Sequence, residues 1–520
     1  MKKILFALGL LLVGLVLMTR LYFSSLQKHT QAHSLALGVA SAEAGLVLSF
    51  DHDKGFYEIM QGQDLLQQIM GKSKSHQLHN LWSYIQAHAD VNDALHDQKM
   101  YLAFLAGEKN TIDFLLSTQF KQQPDPNIFG REKPIAMAAP LNDVFTLKTT
   151  DSTELYLGIK GLLAVISNNP QRIHQALQGL KEPQPFARYI QENSNLTKNT
   201  LSNAFINFEA LPKLWKAVLN TPLNGELEVF NQKETYATLQ YNFSAAKVLW
   251  TGQLTIDDKN SYYRLFADIP GQVMSIPNFL PQNTANYTAF AINDYANWKK
   301  KLDEWLNQRK ELEKLQSKKA IINEKYGLDL EKIFPMYFKN QLITFQLTSG
   351  EKFGGIALSN GEKVNQLLLD LSESYAPDIK IFREAGLPYA YFGEVFKKFD
   401  KPYYAIIDNF MVISNYPSSI QVFLNQYRNN QLLINTKSYQ HFKSELSEAT
   451  LSFYIDQKNS AGIFSRNLKM PYYRQYRSDE GFGQFDGLSV QLSGDKGKFI
   501  SNLLLLKEAE TPVNDTTAHF

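Results

Sequence analysis

The pattern Val-Ile-Ser-Asn-x-Pro is written twice in this chain, at Val165–Pro170 and at Val412–Pro417, and both times an amphipathic segment follows. Five segments repeat in the same order, the motif lying within one of them and a set of long terminal strands being the last. Ala44–Asp51 (AGLVLSFD) matches Tyr287–Asp294 (YTAFAIND), and Gly-Glu-Lys at 107–109 recurs at 350–352 between strand-like runs. Thr153–Pro170 matches Lys401–Pro417, and Asn203–Leu211 (NAFINFEAL) matches Leu451–Asn459 (LSFYIDQKN). The offset stays at about 242 to 248 residues throughout. One motif repeats by chance, but five in one order do not. The expectation is a tandem duplication, with one copy over 36–260, a connector over 261–284 and a second copy over 285–507.

Within each copy, short apolar runs come in pairs separated by turn residues, with helical patterns at irregular intervals. That reads as α+β with a mixed, mainly antiparallel sheet and flanking helices, not as alternating βαβ units. The motif itself has a local reading. Val165 and Ser167, like Val412 and Ser414, close an apolar strand. Asn168 or Asn415 then takes a turn or N-cap role, and Pro170 or Pro417 opens the helix with its φ already set. These eight positions are read as structural, not catalytic. The runs Gly225–Phe230, Thr235–Phe243 and Lys247–Ile256, and later Phe485–Leu506, read as long terminal strands in each copy.

The N-terminus constrains location. Lys2 and Lys3 precede an uncharged apolar run, Ile4–Met18, that includes Leu8, Leu12 and Leu15 and continues to Phe23. With Arg20 snorkelling beside Tyr22, that is long enough to cross a bilayer. No A-x-A cleavage pattern follows the run, and no cysteine is present to carry a lipid. The expectation is an uncleaved signal anchor over 1–23, with a cleaved signal peptide as the alternative. A juxtamembrane linker over 24–35 and a flexible tail over 508–520 complete the organisation. The lysines place the N-terminus in the cytoplasm, so the expected protein is single-pass in the inner membrane with a periplasmic body. The fold class is thus an N-terminal transmembrane helix followed by two tandem α+β copies.

Composition removes whole classes of chemistry. The chain has 520 residues and no cysteine, which excludes disulfides, thiolate metal sites and cysteine nucleophiles. A formal charge of +2 advertises no nucleic-acid partner. Seven of the ten histidines come early, at His29, His33, His52, His76, His79, His88 and His96. No H-E-x-x-H is present and none of these positions repeats in the second copy, so they are read as surface histidines. Neither a G-x-S-x-G elbow nor a phosphate loop appears. Gly494–Lys498 (GDKGK) reads as a hairpin turn, and Ser25–Lys28 as a fortuitous S-x-x-K. No catalytic, metal or cofactor-binding residue is assigned, and no cofactor is expected.

The copies differ in two places. The first carries a Pro-rich loop at Lys121–Pro140, where the second reads as helical from Gly361 to Tyr375. The second also carries a charged helix over Tyr295–Tyr326 with apolar positions at Trp298, Leu302, Trp305, Leu312, Leu315 and Ile322. A stripe at these steps packs on the domain's own sheet. The alternative is a protruding helix used for self-association.

Leu280-Pro281-Gln282-Asn283-Thr284 leading to Tyr287 and Phe290, the block Tyr403–Asn415, and the strand Leu451–Ile455 together resemble a group of uncharacterised single-pass envelope proteins of Bacteroidota. The resemblance implies an envelope location and a duplicated α+β body, and carries over no catalytic residue. The function expected is that of a non-enzymatic, membrane-anchored binding or scaffolding module with an envelope protein partner. The alternatives are a carrier of an apolar ligand such as a lipid and, less favoured, an envelope hydrolase.

Overall fold

The computed structural model describes residues 35–52, 79–80, 83, 89–96, 98–108, 111–122, 144–148, 154–179, 184–194, 202–223, 230–243, 247–479 and 481–507. The expected anchor (Ile4, Leu8, Leu12, Leu15, Met18, Arg20 and Tyr22), nearly all of the Pro-rich loop and the tail at 508–520 lie outside them. Among the described residues no helix is long and apolar enough to cross a membrane.

Two compact units divide between Ala217 and Val218. The first holds strands β1 (Leu46–Asp51), β2 (Lys99–Ala106), β3 (Ile112–Gln119), β4 (Val144–Lys148), β5 (Glu154–Lys160), β6 (Leu163–Ser167) and β7 (Asn203–Asn207). Their pairing order is β7-β1-β2-β3-β6-β5-β4. Helix α1 (Pro170–Gln178) follows β6 and buries Ile173 and Ala176. The core of this unit gathers Phe50, Met100, Leu116, Phe120, Leu155 and Leu157.

The second unit begins with β8 (Thr235–Phe243), β9 (Lys247–Ile256) and β10 (Thr284–Ala291). Three helices follow, α2 (Tyr295–Gln308), α3 (Leu312–Tyr326) and α4 (Leu330–Tyr337), then β11 (Phe338–Leu347), β12 (Lys352–Leu358), β13 (Ser372–Ala376) and β14 (Ile379–Phe382). Next come α5 (Leu387–Phe392), β15 (Tyr403–Ile407), β16 (Phe410–Ser414), α6 (Pro417–Arg428), β17 (Leu451–Asp456), α7 (Gln457–Asn467), β18 (Gly487–Asp495) and β19 (Lys498–Leu506). The strands pair in the order β8-β9-β19-β18-β17-β10-β11-β12-β16-β15-β14-β13.

These pairings correct the expected fold class. Two tandem domains with mixed sheets and a transmembrane helix are not what the described residues form. Among the described residues every pairing is antiparallel, in a ladder of seven strands in the first unit and one of twelve in the second. The physical reason lies in the connections. Short turns join β2 to β3, β5 to β6, β8 to β9, β11 to β12 and β18 to β19, and a tight turn can only reverse the chain. The hairpin β8–β9 ends the first half of the sequence yet belongs to the second unit, where β9 pairs with β19 from Lys247–Leu506 to Leu254–Phe499. What the sequence echo marks is a shared strand order.

The core of the second unit is aromatic, built on Phe279, Tyr287, Phe345, Phe353, Phe423, Tyr439 and Tyr454. Ile276, Phe279 and Leu280, in the stretch read as a connector, are buried in it. Gly354 and Gly355 of β12 let rings close onto the sheet. A Cβ at Gly354 would stand 2.5 Å from Phe396 Cε1, and one at Gly355 would stand 2.6 Å from Phe279 Cζ. Only glycine leaves that space.

The charged helix expected over Tyr295–Tyr326 is two helices. Arg309–Glu311 separates α2 from α3, and Lys310 takes a left-handed φ of 60°. Trp298, Leu302, Trp305 and Leu306 of α2 are buried, as an inward stripe requires. The segment read as helical from Gly361 to Tyr375 is helical only over Gly361–Leu367, and Ser372–Ala376 is strand β13.

Candidate functional site

Around the short helix α5, with the sequence Leu-Pro-Tyr-Ala-Tyr-Phe, two tyrosines gather a group of charged side chains. All six residues of α5 are buried. Tyr391 lies under two ammonium groups, with Lys319 Nζ 4.8 Å and Lys299 Nζ 5.9 Å from its ring centroid. Phe334 of α4 packs on the same ring at 4.4 Å. Each lysine has its own carboxylate: Lys299 meets Asp303 at 2.5 Å and Lys319 meets Glu331 at 2.5 Å. Burial pushes the Lys299 ammonium below its usual range, against the pull of Asp303. Burial, and after it the Glu331 charge, pushes the Tyr391 hydroxyl up.

Tyr389, two residues before Tyr391, donates to Glu311 Oε2. Arg309 Nε reaches the other oxygen of that carboxylate at 3.3 Å, while its guanidinium lies 4.7 Å from the Trp305 ring. Burial works against the Glu311 charge, but the Tyr389 hydrogen bond and Arg309 hold its carboxyl below the usual range. Lys397 stands 5.5 Å over Tyr389 and meets Glu394 at 3.3 Å. Positive and negative groups alternate, so the cluster holds no net excess of either sign. Its chemistry is that of a clasp binding the α2–α3 turn to α5.

Two further clusters spend their groups in the same way. Beneath the second sheet, the Tyr287 and Tyr439 hydroxyls meet at 2.9 Å, and Tyr454 lies 3.4 Å from Asp456. Burial raises the Asp456 carboxyl, whose Oδ1 caps α7 by accepting from Asn459 N at 2.8 Å. In the first unit, Asp113 is buried with Arg172 at 3.2 Å and accepts from Asn169 Nδ2 at 3.0 Å. Arg172 also reaches Glu43 at 2.9 Å and donates to the Ala106 carbonyl at 2.5 Å. Among the described residues no three His, Asp or Glu side chains are placed to hold a metal ion.

The repeated motif resolves into backbone work. Val165 and Val412 are buried on β6 and β16. Ser167 Oγ donates to the Phe114 carbonyl at 2.6 Å, and Ser414 Oγ to the Lys352 carbonyl at 3.0 Å, each tying its strand to the neighbour on one side. Pro170 and Pro417 stand at the first positions of α1 and α6. The helix caps fall one residue later than expected. Asn169, not Asn168, accepts from Gln171 N at 3.0 Å, and Tyr416 precedes α6 without a side-chain cap. Asn168 instead accepts from Phe114 N at 2.9 Å, while Asn415 donates to the Lys398 carbonyl at 2.9 Å. Among the histidines, His79 and His96 are exposed, but His52 is buried with Nε2 3.1 Å from Asn92 Oδ1. That corrects the surface reading for His52. Tyr389 and Tyr391 were missed by sequence reasoning, and the only signal was an aromatic-rich hexapeptide between two glycines.

No family model matches the chain, and no curated protein does. Two solved structures of TP0453 are similar to it, crystal form IV at 16% identity and crystal form III at 14%. The likeness covers 42% and 46% of this chain, and 80% and 89% of theirs, with a TM-score of 0.25 in both cases.

Proposed function

We propose that this chain is a non-enzymatic, extracytoplasmic binding or scaffolding module of a bacterial envelope, directed there by Lys2, Lys3 and the apolar run Ile4–Met18. One observation carries the reading. The buried ionisable groups of each cluster are engaged by structural neighbours, whereas large apolar side chains stand in solvent. Asp113, Asp456, Lys299 and Lys319 each hold a cap, a strand or a helix turn in place. Val273, Met336, Tyr416 and Met470 are by contrast each more than half exposed. Exposed apolar side chains that gather into a contiguous patch mark contact with another molecule, and it is among these four positions that such contact is sought.

The test is crosslinking in cells, with a photoreactive residue placed in turn at Val273, Tyr416 and Met470 of the full chain. A binding module gives a discrete crosslinked band containing the same second protein from at least one position. If none of the three positions yields a band above the monomer, the reading falls.

A further inference from the structure

We propose that helix α3 is a salt-releasable strap, docked on the second unit by ion pairs and able to lift away from it while the sheet stays folded. The contrast with α2 is the first ground. α2 has 14 residues and buries six, Tyr295, Trp298, Lys299, Leu302, Trp305 and Leu306. α3 has 15 and buries only Leu315 and Ile322. Ile321 of α3 is more than half exposed. Segments with few buried apolar contacts open locally at a small fraction of the global unfolding free energy.

The tethers of α3 are polar along its whole length. At its N-terminal end, Glu311 takes hydrogen bonds from Tyr389 and Arg309. In its middle, Lys318 Nζ lies 3.4 Å from the Ala385 carbonyl, and Lys319 is shared between Glu331 and the face of Tyr391. Toward its C-terminal end, Lys325 and Tyr326 both donate to Glu384 Oε1, at 2.9 and 2.7 Å. Interactions between part-exposed charges weaken as the screening length falls from about 8 Å at physiological salt to about 3 Å at 1 M. Burial of Leu315 and Ile322 is not weakened by salt in this way, so the polar tethers set the salt response.

Hinges stand at both ends. Lys310 has φ 60° and Gly327 has φ 64°, and no atom lies within 4 Å of where a Cβ on Gly327 would be. Opening by rotation at these two positions frees the Tyr391 ring from Lys319 and Glu384 from both of its donors. The sheet pairings of β10, β11 and β12 need not change. The inference does not depend on the function proposed above.

Hydrogen exchange of the full chain, read peptide by peptide at low salt and in 1 M NaCl, tests it. The strap predicts that amides of 312–326 exchange at least tenfold faster than those of 295–308, with a gap that widens in salt. In Glu384→Gln, exchange of 312–326 rises already at low salt while 295–308 stays protected, which also shows that the variant is folded. The proposal is overturned if 312–326 is as protected as 295–308 and indifferent to salt. It is equally overturned if salt speeds both helices together, or if Ile322→Ala releases the helix while salt does not.

Discussion

Leu503 of β19 stands directly opposite Trp250 of β9, joining strands from the two halves of the chain into one ladder. Trp250 also packs on Tyr241 of β8 with ring centroids 4.9 Å apart. The pairing is why the terminal hairpin of the first half belongs to the second unit. A fully buried Trp→Ala costs about 3–5 kcal/mol, and a half-buried tryptophan proportionately less. Trp250→Ala is therefore expected to lower the stability of the second unit by about 2 kcal/mol. Hydrogen exchange under mild denaturant checks this: β8, β9 and β19 lose protection while β1 to β3 keep theirs.

In the first unit, Arg172→Met leaves the buried Asp113 carboxylate without its cation. Removing one partner of a buried pair costs about 3–5 kcal/mol. Arg172 is part-exposed and Asn169 still donates to Asp113, so the lower figure is expected. Adding Asp113→Leu to the same chain should recover much of the loss. Urea denaturation of the two single variants and the double variant gives the cycle, and full additivity would show that the pair is not coupled.

The hydroxyls of Tyr287 and Tyr439 share one buried hydrogen bond, so Tyr287→Phe strands the Tyr439 hydroxyl at a cost of about 1–2 kcal/mol. Tyr287→Phe together with Tyr439→Phe removes both polar groups and is expected to cost less than the two single changes added. Thermal unfolding of the three variants measures this.

Acid should loosen α3. Hydrogen bonds from Tyr326, and then from Lys325, hold the Glu384 carboxyl below its usual range, with Lys401 adding to the effect. A carboxyl lowered by folding contributes stability that is complete above its unfolded value, about 4.3, and is lost as pH falls through the lower folded value. Exchange in 312–326, corrected for the intrinsic pH dependence, is expected to rise below about pH 4 in the natural chain. Glu384→Gln should show a smaller rise.

Hairpins were the most legible part of the fold. Tyr101–Ala106 and Thr111–Ser117 flank Gly107 as paired strands β2 and β3, and Asp495 and Lys498 flank a two-residue turn with Lys496 and Gly497 at positive φ. These signals are local, carried by turn chemistry between alternating apolar runs. Pairing of β9 with β19 left no such trace, because a register between distant strands is set by packing and not by any neighbouring residue. The break between α2 and α3 was hidden for a related reason. Trp305 and Leu312 keep the apolar stripe in step across Arg309–Glu311, and nothing in that tripeptide is a strong breaker. The cluster on α5 drew its charges from three helices, the α2–α3 turn and the segment after α5, so no linear motif announced it. Ser167 and Ser414 were legible as positions but not as donors to β3 and β12, since the acceptor carbonyls lie far away in sequence.

Native mass spectrometry of the full-length protein, gently extracted from the cells that make it, tests the proposed function most directly. A binding or scaffolding module is recovered with a second protein in fixed stoichiometry. A bare monomer, or a monomer retaining only a small apolar mass, would contradict it.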